Sequence, residues 1–249
     1  MRFFVGLHHP SDAHEFDAAF ISIRAIEKRK SDFRVNDWVM DSGAFSTIKT
    51  HGGYPSSPED YAAQIKRWST NGNLLAAVTQ DYMCEPDMLA RTGMTVEQHQ
   101  RLTVERYDAI MACDLGGIHL MPVLQGWMPD DYLRHIEMYG DRLKPGMWVG
   151  VGSVCKRNRA ENIARVLGAI KAKRPDLRLH GFGATLTALK SPLVQSLLYT
   201  ADSMAWSFAA RREGRDPNGP AEAHKFVAAV NSYAEGWAET DLIQERLFA

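Results

Sequence analysis

The sequence predicts an α/β protein, a compact (β/α)8 TIM-like barrel. Three observations carry that reading. The chain has 249 residues, the usual size of one such barrel. Short apolar runs alternate with segments of helical periodicity, strand then helix, seven times in succession, which implies a parallel sheet with helices outside it. No Gly-rich dinucleotide turn follows the first apolar run, so the closed barrel is preferred to an open doubly wound sheet.

Phe3-Phe4-Val5-Gly6-Leu7 reads as the first strand. Residues 13–30 carry Phe16, Ala19, Phe20, Ile23 and Ile26 at helical spacing, so a helix is expected there. Trp38-Val39-Met40 reads as the second strand, and residues 58–68 as a helix with Ser57 as N-cap and Pro58 at its first position. Leu74 to Val78 is the third strand. Thr95, with Gln98 three residues on, opens a long helix to Cys113 in a capping-box pattern. Ile118–Leu124, Met147–Val151, Leu177–His180 and Asp202–Phe208 are the remaining strands. Helices are expected over residues 132–139, 158–173, 187–198 and 221–244. Only seven strands are distinct, so the eighth is expected to be short or irregular. One domain over residues 1–249 is expected, since no linker, repeat or low-complexity segment interrupts the pattern.

Composition removes several function classes. Lys plus Arg is 29, Asp plus Glu is 30, and apolar residues are 45%, values that exclude a disordered or collagen-like chain. No apolar run approaches the roughly 18 residues of a membrane span, and Met1–Leu7 is too short for a secretory signal, so a cytoplasmic protein with no membrane partner is expected. Cys84, Cys113 and Cys155 form no Cys-x-x-Cys pair; neither a disulfide framework nor a structural zinc site is expected. No metal or other cofactor is expected. A net charge of −1 gives no global basic field, so any nucleic-acid contact must come from a local patch.

In such a barrel chemistry sits at the C-terminal strand ends. The expected strands are followed there by Asp41-Ser42-Gly43-Ala44-Phe45, by Gln80-Asp81, by Gln125-Gly126-Trp127, by Gly150-Val151-Gly152-Ser153, and by His180-Gly181-Phe182-Gly183. Asp202 opens the last strand. Three aspartates, a glutamine and a histidine therefore share one rim, beside glycines that let a flat ligand approach the backbone. Each also has a structural reading: an N-cap for an aspartate, a core side chain for His180 or Trp206, a solvated helix start for Lys156, Arg157 and Arg159. Their common topology is what gives them weight. Two carboxylates across a sugar C1′ can perform a retaining double displacement, and a third carboxylate with a glutamine can read the edge of a heterocycle.

The motif series resembles the tRNA-guanine transglycosylase superfamily. Asp41-Ser42-Gly43-Ala44-Phe45 is similar to its Asp-Ser-Gly-Gly-Phe-Gln, Val123-Leu124-Gln125-Gly126 to its Val-Gln-Gly-Gly, and Leu179-His180-Gly181-Phe182-Gly183 to its Leu-Met-Gly-Val-Gly. Val149-Gly150-Val151-Gly152 and Asp202-Ser203-Met204 stand where that superfamily has a Gly-rich strand end and Asp-Cys-Val. The zinc motif and the Pro-Thr-Arg of the tRNA enzymes are absent, and Ser46 replaces a base-contacting glutamine. These departures, with the short chain, look most like DpdA, the 7-deazaguanine DNA transglycosylases of phages and bacterial modification islands, here without a zinc subdomain.

The resemblance implies a pentosyltransferase that replaces guanine in DNA by a free 7-deazaguanine such as preQ0. It implies Asp202 as nucleophile and Asp41 as general acid/base. Asp81, Gln125, Gly126, Gly150, His180, Gly181, Ser42 and Phe45 would bind the base. Lys156, Arg157, Arg159, Arg211, Arg212 and Arg215 could hold DNA phosphates, and Trp127 or Trp206 could stack on an extruded base. DNA and the free base are the expected partners, with a homodimer or a duplex-opening protein as further ones; for a phage gene the host cytoplasm is the expected location. Three other readings are carried: a compact enzyme acting on tRNA, a catalytically silent barrel that binds nucleic acid or a partner subunit, and a small-substrate nucleoside transferase or glycosidase.

Overall fold

The computed structural model describes residues 1–154, 157 and 159–233. Nine parallel strand segments form one sheet: β1 (Arg2–Gly6), β2 (Ala18–Ser22), β3 (Asp37–Asp41), β4 (Asn73–Val78), β5 (His119–Met121), β6 (Val123–Leu124), β7 (Trp148–Val151), β8 (Arg178–Gly181) and β9 (Thr200–Ser203). The order is β5-β4-β3-β2-β1-β9-β8-β7-β6. Only Pro122 separates β5 from β6. That residue has no N–H to give to a ladder, but its carbonyl accepts from Gly150 N–H at 2.8 Å. β5 pairs with β4 and β6 with β7, so the interrupted strand closes the ring and the nine segments fill eight barrel positions.

The missing eighth strand is β2. The helix expected over residues 13–30 is instead a 3-10 turn (Pro10–Glu15), a strand, and one helical turn (Ile23–Ile26). β2 pairs with β1 through Val5–Ala19 and with β3 along its whole length. Because it is covered on both faces, Ala18-Ala19-Phe20-Ile21 is a continuous apolar run without alternation, and such a run also satisfies a helical template.

Two other expectations change. The last strand is Thr200–Ser203, so Asp202 stands near its C-terminal end and does not open it, and Ala205–Arg212 is a helix rather than its continuation. The helix expected over 187–198 is two short helices, Leu186–Leu189 and Pro192–Leu197, divided before Pro192. Both expected N-caps are present, Ser57 with Asp60 and Thr95 with Gln98, each a reciprocal capping box. The closing helix runs over residues 220–233 among the described residues.

Strand pleating sorts side chains between two cores. Phe4, Ala18, Phe20, Val39, Ala76, Val78, Met121 and Val123 fill the barrel interior. Their neighbours, such as Val5, Ala19, Trp38, Met40, Val149, Leu179 and Ala201, pack outward against the helices. With a period of two, Asp41 follows Val39 onto the inner face. By the same rule Trp148, Gly150 and Gly152 share a face, as do Thr200 and Asp202. The inner face therefore turns from apolar to polar as the strands reach their C-terminal ends. No helix of the described residues is long and apolar enough to cross a membrane.

Candidate active site

Asp41 is the last residue of β3. Its Oδ2 accepts from Gly43 N–H at 3.0 Å, and Gly43 begins the helix Ala44–His51 in a left-handed conformation (φ +72°). A side chain at Gly43 would be strained by that φ and would meet Arg24. The Asp-Ser-Gly triplet is thus a turn that points the carboxyl inward. Burial pushes Asp41 up to about 6, with the charge of Asp202 adding to the rise.

Asp81 lies in the segment after β4 and is buried. Its Oδ2 accepts from Gln125 Nε2 at 2.5 Å. Burial raises it to about 7; Asp41 and Glu85 push the same way, against the Gln125 hydrogen bond. Gln125 is itself pinned. Its Oε1 accepts from Ser153 Oγ at 3.0 Å, and its backbone carbonyl accepts from Gln100 Nε2 at 2.7 Å. Its backbone N–H donates to His135 Nδ1 at 2.8 Å. Burial holds His135 down at about 3, so that nitrogen is a bare acceptor.

The glycines of β7 make room. A Cβ at Gly152 would sit 2.1 Å from Gln125 Nε2, and one at Gly150 would sit 2.3 Å from the Phe182 ring. Gly126 makes room for Asp131 and Tyr132 in the same way, and Gly181 ends β8 against Leu198. Ser153 takes a positive φ of 60°, an uncommon conformation for a residue with a side chain; in it the Ser153 hydroxyl reaches Gln125.

Asp202 sits on β9, buried. Its Oδ1 accepts from Gly183 N–H at 3.0 Å and lies 3.2 Å from His180 Nε2. Asp41 and Asp202 both stand at C-terminal strand ends, near enough that the charge of Asp202 raises Asp41, and the charge of Asp41 in turn raises Asp81, which Gln125 holds.

The other expected site residues divide. Ser42 is buried, and Phe45 is 43% exposed on the first turn after Gly43. His180 is wholly buried and both ring nitrogens are engaged, so it faces Asp202 and not a base. Trp206 is not a stacking platform: it is buried, and its indole N–H donates to the Gly6 carbonyl at 2.9 Å. The helix start at Ala205 turns it inward. Arg157 is buried, stacks 4.8 Å from the Trp127 ring and donates to the Trp127 carbonyl at 2.5 Å. It braces the Trp127 loop and is not an open phosphate ligand. Arg215 is ion-paired with Glu213 and Glu222. Arg159, Arg211 and Arg212 are exposed. Lys156 lies outside the described residues.

Sequence reasoning missed Thr200, Trp148, Gln100, His135 and Ser153, which support the site from neighbouring strands and helices. It also missed Phe208, 63% exposed on the helix that follows Asp202. A cleft of about 310 Å³ opens beside the site, lined by Arg24, Ser42, Tyr54, Tyr61, Gln64 and Gln80 among others. A hollow of about 410 Å³ lies at the opposite end of the barrel around Arg2 and His224, so volume alone does not mark the chemistry. Among the described residues no three His, Cys, Asp or Glu side chains are grouped to hold a metal ion.

A sequence model for the family DpdA, deoxypurine in DNA protein A, matches residues 1–245. The chain belongs to the DpdA family. No curated protein matches it. Membership puts this barrel among DNA-modifying transglycosylases in general, and Asp41 and Asp202 lie at the strand ends where a barrel of this kind carries its chemistry.

Proposed function

We propose that this DpdA-family chain exchanges guanine in DNA for a free 7-deazaguanine, such as preQ0, through a covalent Asp202–deoxyribosyl intermediate. The observation that carries the reading is the unequal pair Asp41 and Asp202. Asp202 has one oxygen held by two neighbours and its Oδ2 without a hydrogen bond among the described residues. Asp41 is raised to about 6, a value suited to giving and taking a proton near neutrality.

In the first step Asp202 Oδ2 attacks C1′ of the deoxyribose. The C1′–N9 bond breaks, and the departing guanine takes a proton from Asp41. In the second step Asp41 removes the proton from the corresponding ring nitrogen of the 7-deazaguanine. That nitrogen attacks C1′, the C1′–O bond breaks, and Asp202 is returned as carboxylate. Two inversions give net retention. Asp81 and Gln125 read the heterocycle edge; Asp81, raised to about 7, can offer or accept a hydrogen there.

A target base in a duplex must be flipped out, at a cost of a few kcal/mol. Phe45 and Phe208, both exposed, and Trp127, partly exposed, are aromatic side chains at the rim that would meet it. The test is exchange of labelled guanine or labelled preQ0 into single-stranded DNA, duplex DNA and tRNA. Incorporation into DNA is expected. Incorporation into tRNA alone would move the reading to the tRNA enzyme, and incorporation into none to a silent barrel.

A further inference from the structure

Behind Asp202 runs a chain of three side chains from neighbouring strands. Trp148 Nε1 donates to Thr200 Oγ1 at 2.7 Å. Thr200 Oγ1 lies 2.8 Å from His180 Nδ1, and His180 Nε2 lies 3.2 Å from Asp202 Oδ1. Thr200, His180 and Asp202 are all buried.

Counting hydrogens gives this chain one fully satisfied arrangement. An indole N–H can only donate, so Thr200 accepts from Trp148. The hydroxyl proton of Thr200 must then be placed. Among the described residues the one acceptor it meets is His180 Nδ1. Nδ1 is therefore bare, and the ring proton stands on Nε2, where it donates to Asp202. A ring proton on Nδ1 would aim two donors at Thr200 and strand its hydroxyl proton in a buried site, which folded proteins rarely tolerate. A doubly protonated ring has the same defect. The ring faces are walled by aromatics: Phe20 stacks at 5.4 Å and 14°, and Phe4, Phe182 and Trp148 approach edge-on.

We propose that His180 is a positioning residue, locked as its Nε2–H tautomer by Thr200 and Trp148. Its N–H and that of Gly183 hold Oδ1 of Asp202, so that Oδ2 is the oxygen presented to the sugar. The catalytic part of this inference rests on Asp202 being the nucleophile proposed above; the tautomer does not.

The test has two readouts. Long-range ¹H–¹⁵N correlation on ¹⁵N-histidine protein, with His180 assigned through its backbone, reports which ring nitrogen carries the proton. The expected pattern is a proton on Nε2 alone; a proton on Nδ1, or on both, overturns the lock whatever the activity. The second readout is base exchange by Thr200→Val and Thr200→Ser. Thr200→Val is expected to lower kcat roughly ten- to a hundredfold, the range for outer partners of an anchored ligand group, with KM within about twofold. Thr200→Ser, which keeps the hydroxyl, is expected to restore most of kcat. Unchanged kcat in Thr200→Val, or equal losses in both variants, overturns the positioning role. If wild-type protein exchanges no base, the proposed function fails, while the ring-proton measurement still decides the lock and needs no active or mutated protein.

Discussion

The side-chain amide of Gln125 donates to Oδ2 of Asp81 at 2.5 Å, joining the segments that follow β4 and β6. This contact does not keep Asp81 acidic, because burial and the charges of Asp41 and Glu85 outweigh it and raise the carboxyl to about 7. Asp81 therefore binds its proton more tightly folded than unfolded. The stability from that proton is full below the ordinary carboxylate range and is lost as pH rises through about 7. Asp81→Asn keeps an acceptor for Gln125 and removes the charge. It should be more stable than wild type by about 2–4 kcal/mol near pH 8, with the difference gone near pH 4. Paired unfolding curves across that range check this. A variant less stable than wild type at pH 8 would contradict it.

Gly152 gives Gln125 its space. Gly152→Ala places a methyl 2.1 Å from the Gln125 amide, so that side chain must leave Asp81. Overpacking of this kind costs about 1–3 kcal/mol. KM for the free base should rise well beyond what the stability loss explains. Gly168→Ala is the control: a Cβ there meets open space on the helix Ala160–Lys173, and a gain of about 0.5–1 kcal/mol is expected. Equal base affinity in Gly152→Ala and wild type would remove Gln125 from base binding.

In the proposed mechanism Asp41, raised to about 6, gives its proton to the departing guanine. In single-turnover guanine release the rate should fall as pH rises through about 6. It should fall about tenfold per pH unit well above that value, as for any acid that must be protonated. Asp41→Asn should lose that limb together with most of the rate. A wild-type rate independent of pH from about 5 to 8, with chemistry limiting, would exclude Asp41 as the acid.

Electrostatic contact with DNA should follow which arginines have no ion pair among the described residues, although Arg212 also lies over the Phe208 ring. Arg211 and Arg212 are exposed on the helix after Asp202, whereas Arg215 is paired with Glu213 and Glu222. The double variant Arg211→Ala, Arg212→Ala should weaken DNA binding and flatten the log–log salt dependence by about one to two. Arg215→Ala should leave that slope unchanged. The reverse ranking in a salt titration would put the phosphate path elsewhere.

Much of this architecture is legible in the sequence, and the failures have physical causes. Asp41, Asp81 and Gln125 are recognisable because each ends or follows an apolar strand at the same end of the barrel; Asp202 is legible only through its motif, since a strand over Asp202–Phe208 puts it at the opening, whereas β9 (Thr200–Ser203) puts it near the C-terminal end. β2 is not legible, because a strand covered on both faces loses the alternation that distinguishes it from a helix. The place of Trp206 depends on where β9 ends, at Ser203 and not at Phe208. Once Ala205 starts a helix, the indole turns into the core and donates to Gly6. Arg157 and Arg215 looked like free cations because sequence shows charge but not partners. The Trp148–Thr200–His180 chain links three strands, and no local pattern encodes a contact between residues 52 apart.

The proposed mechanism stands on a bond between Asp202 and the sugar. Intact mass of the protein after incubation with guanine-containing single-stranded DNA, followed by peptide mapping, tests it most directly. The expected result is a DNA adduct on the peptide carrying Asp202 in wild type and none in Asp202→Ala. An adduct retained by Asp202→Ala, mapping to Asp41 or Asp81, would contradict it.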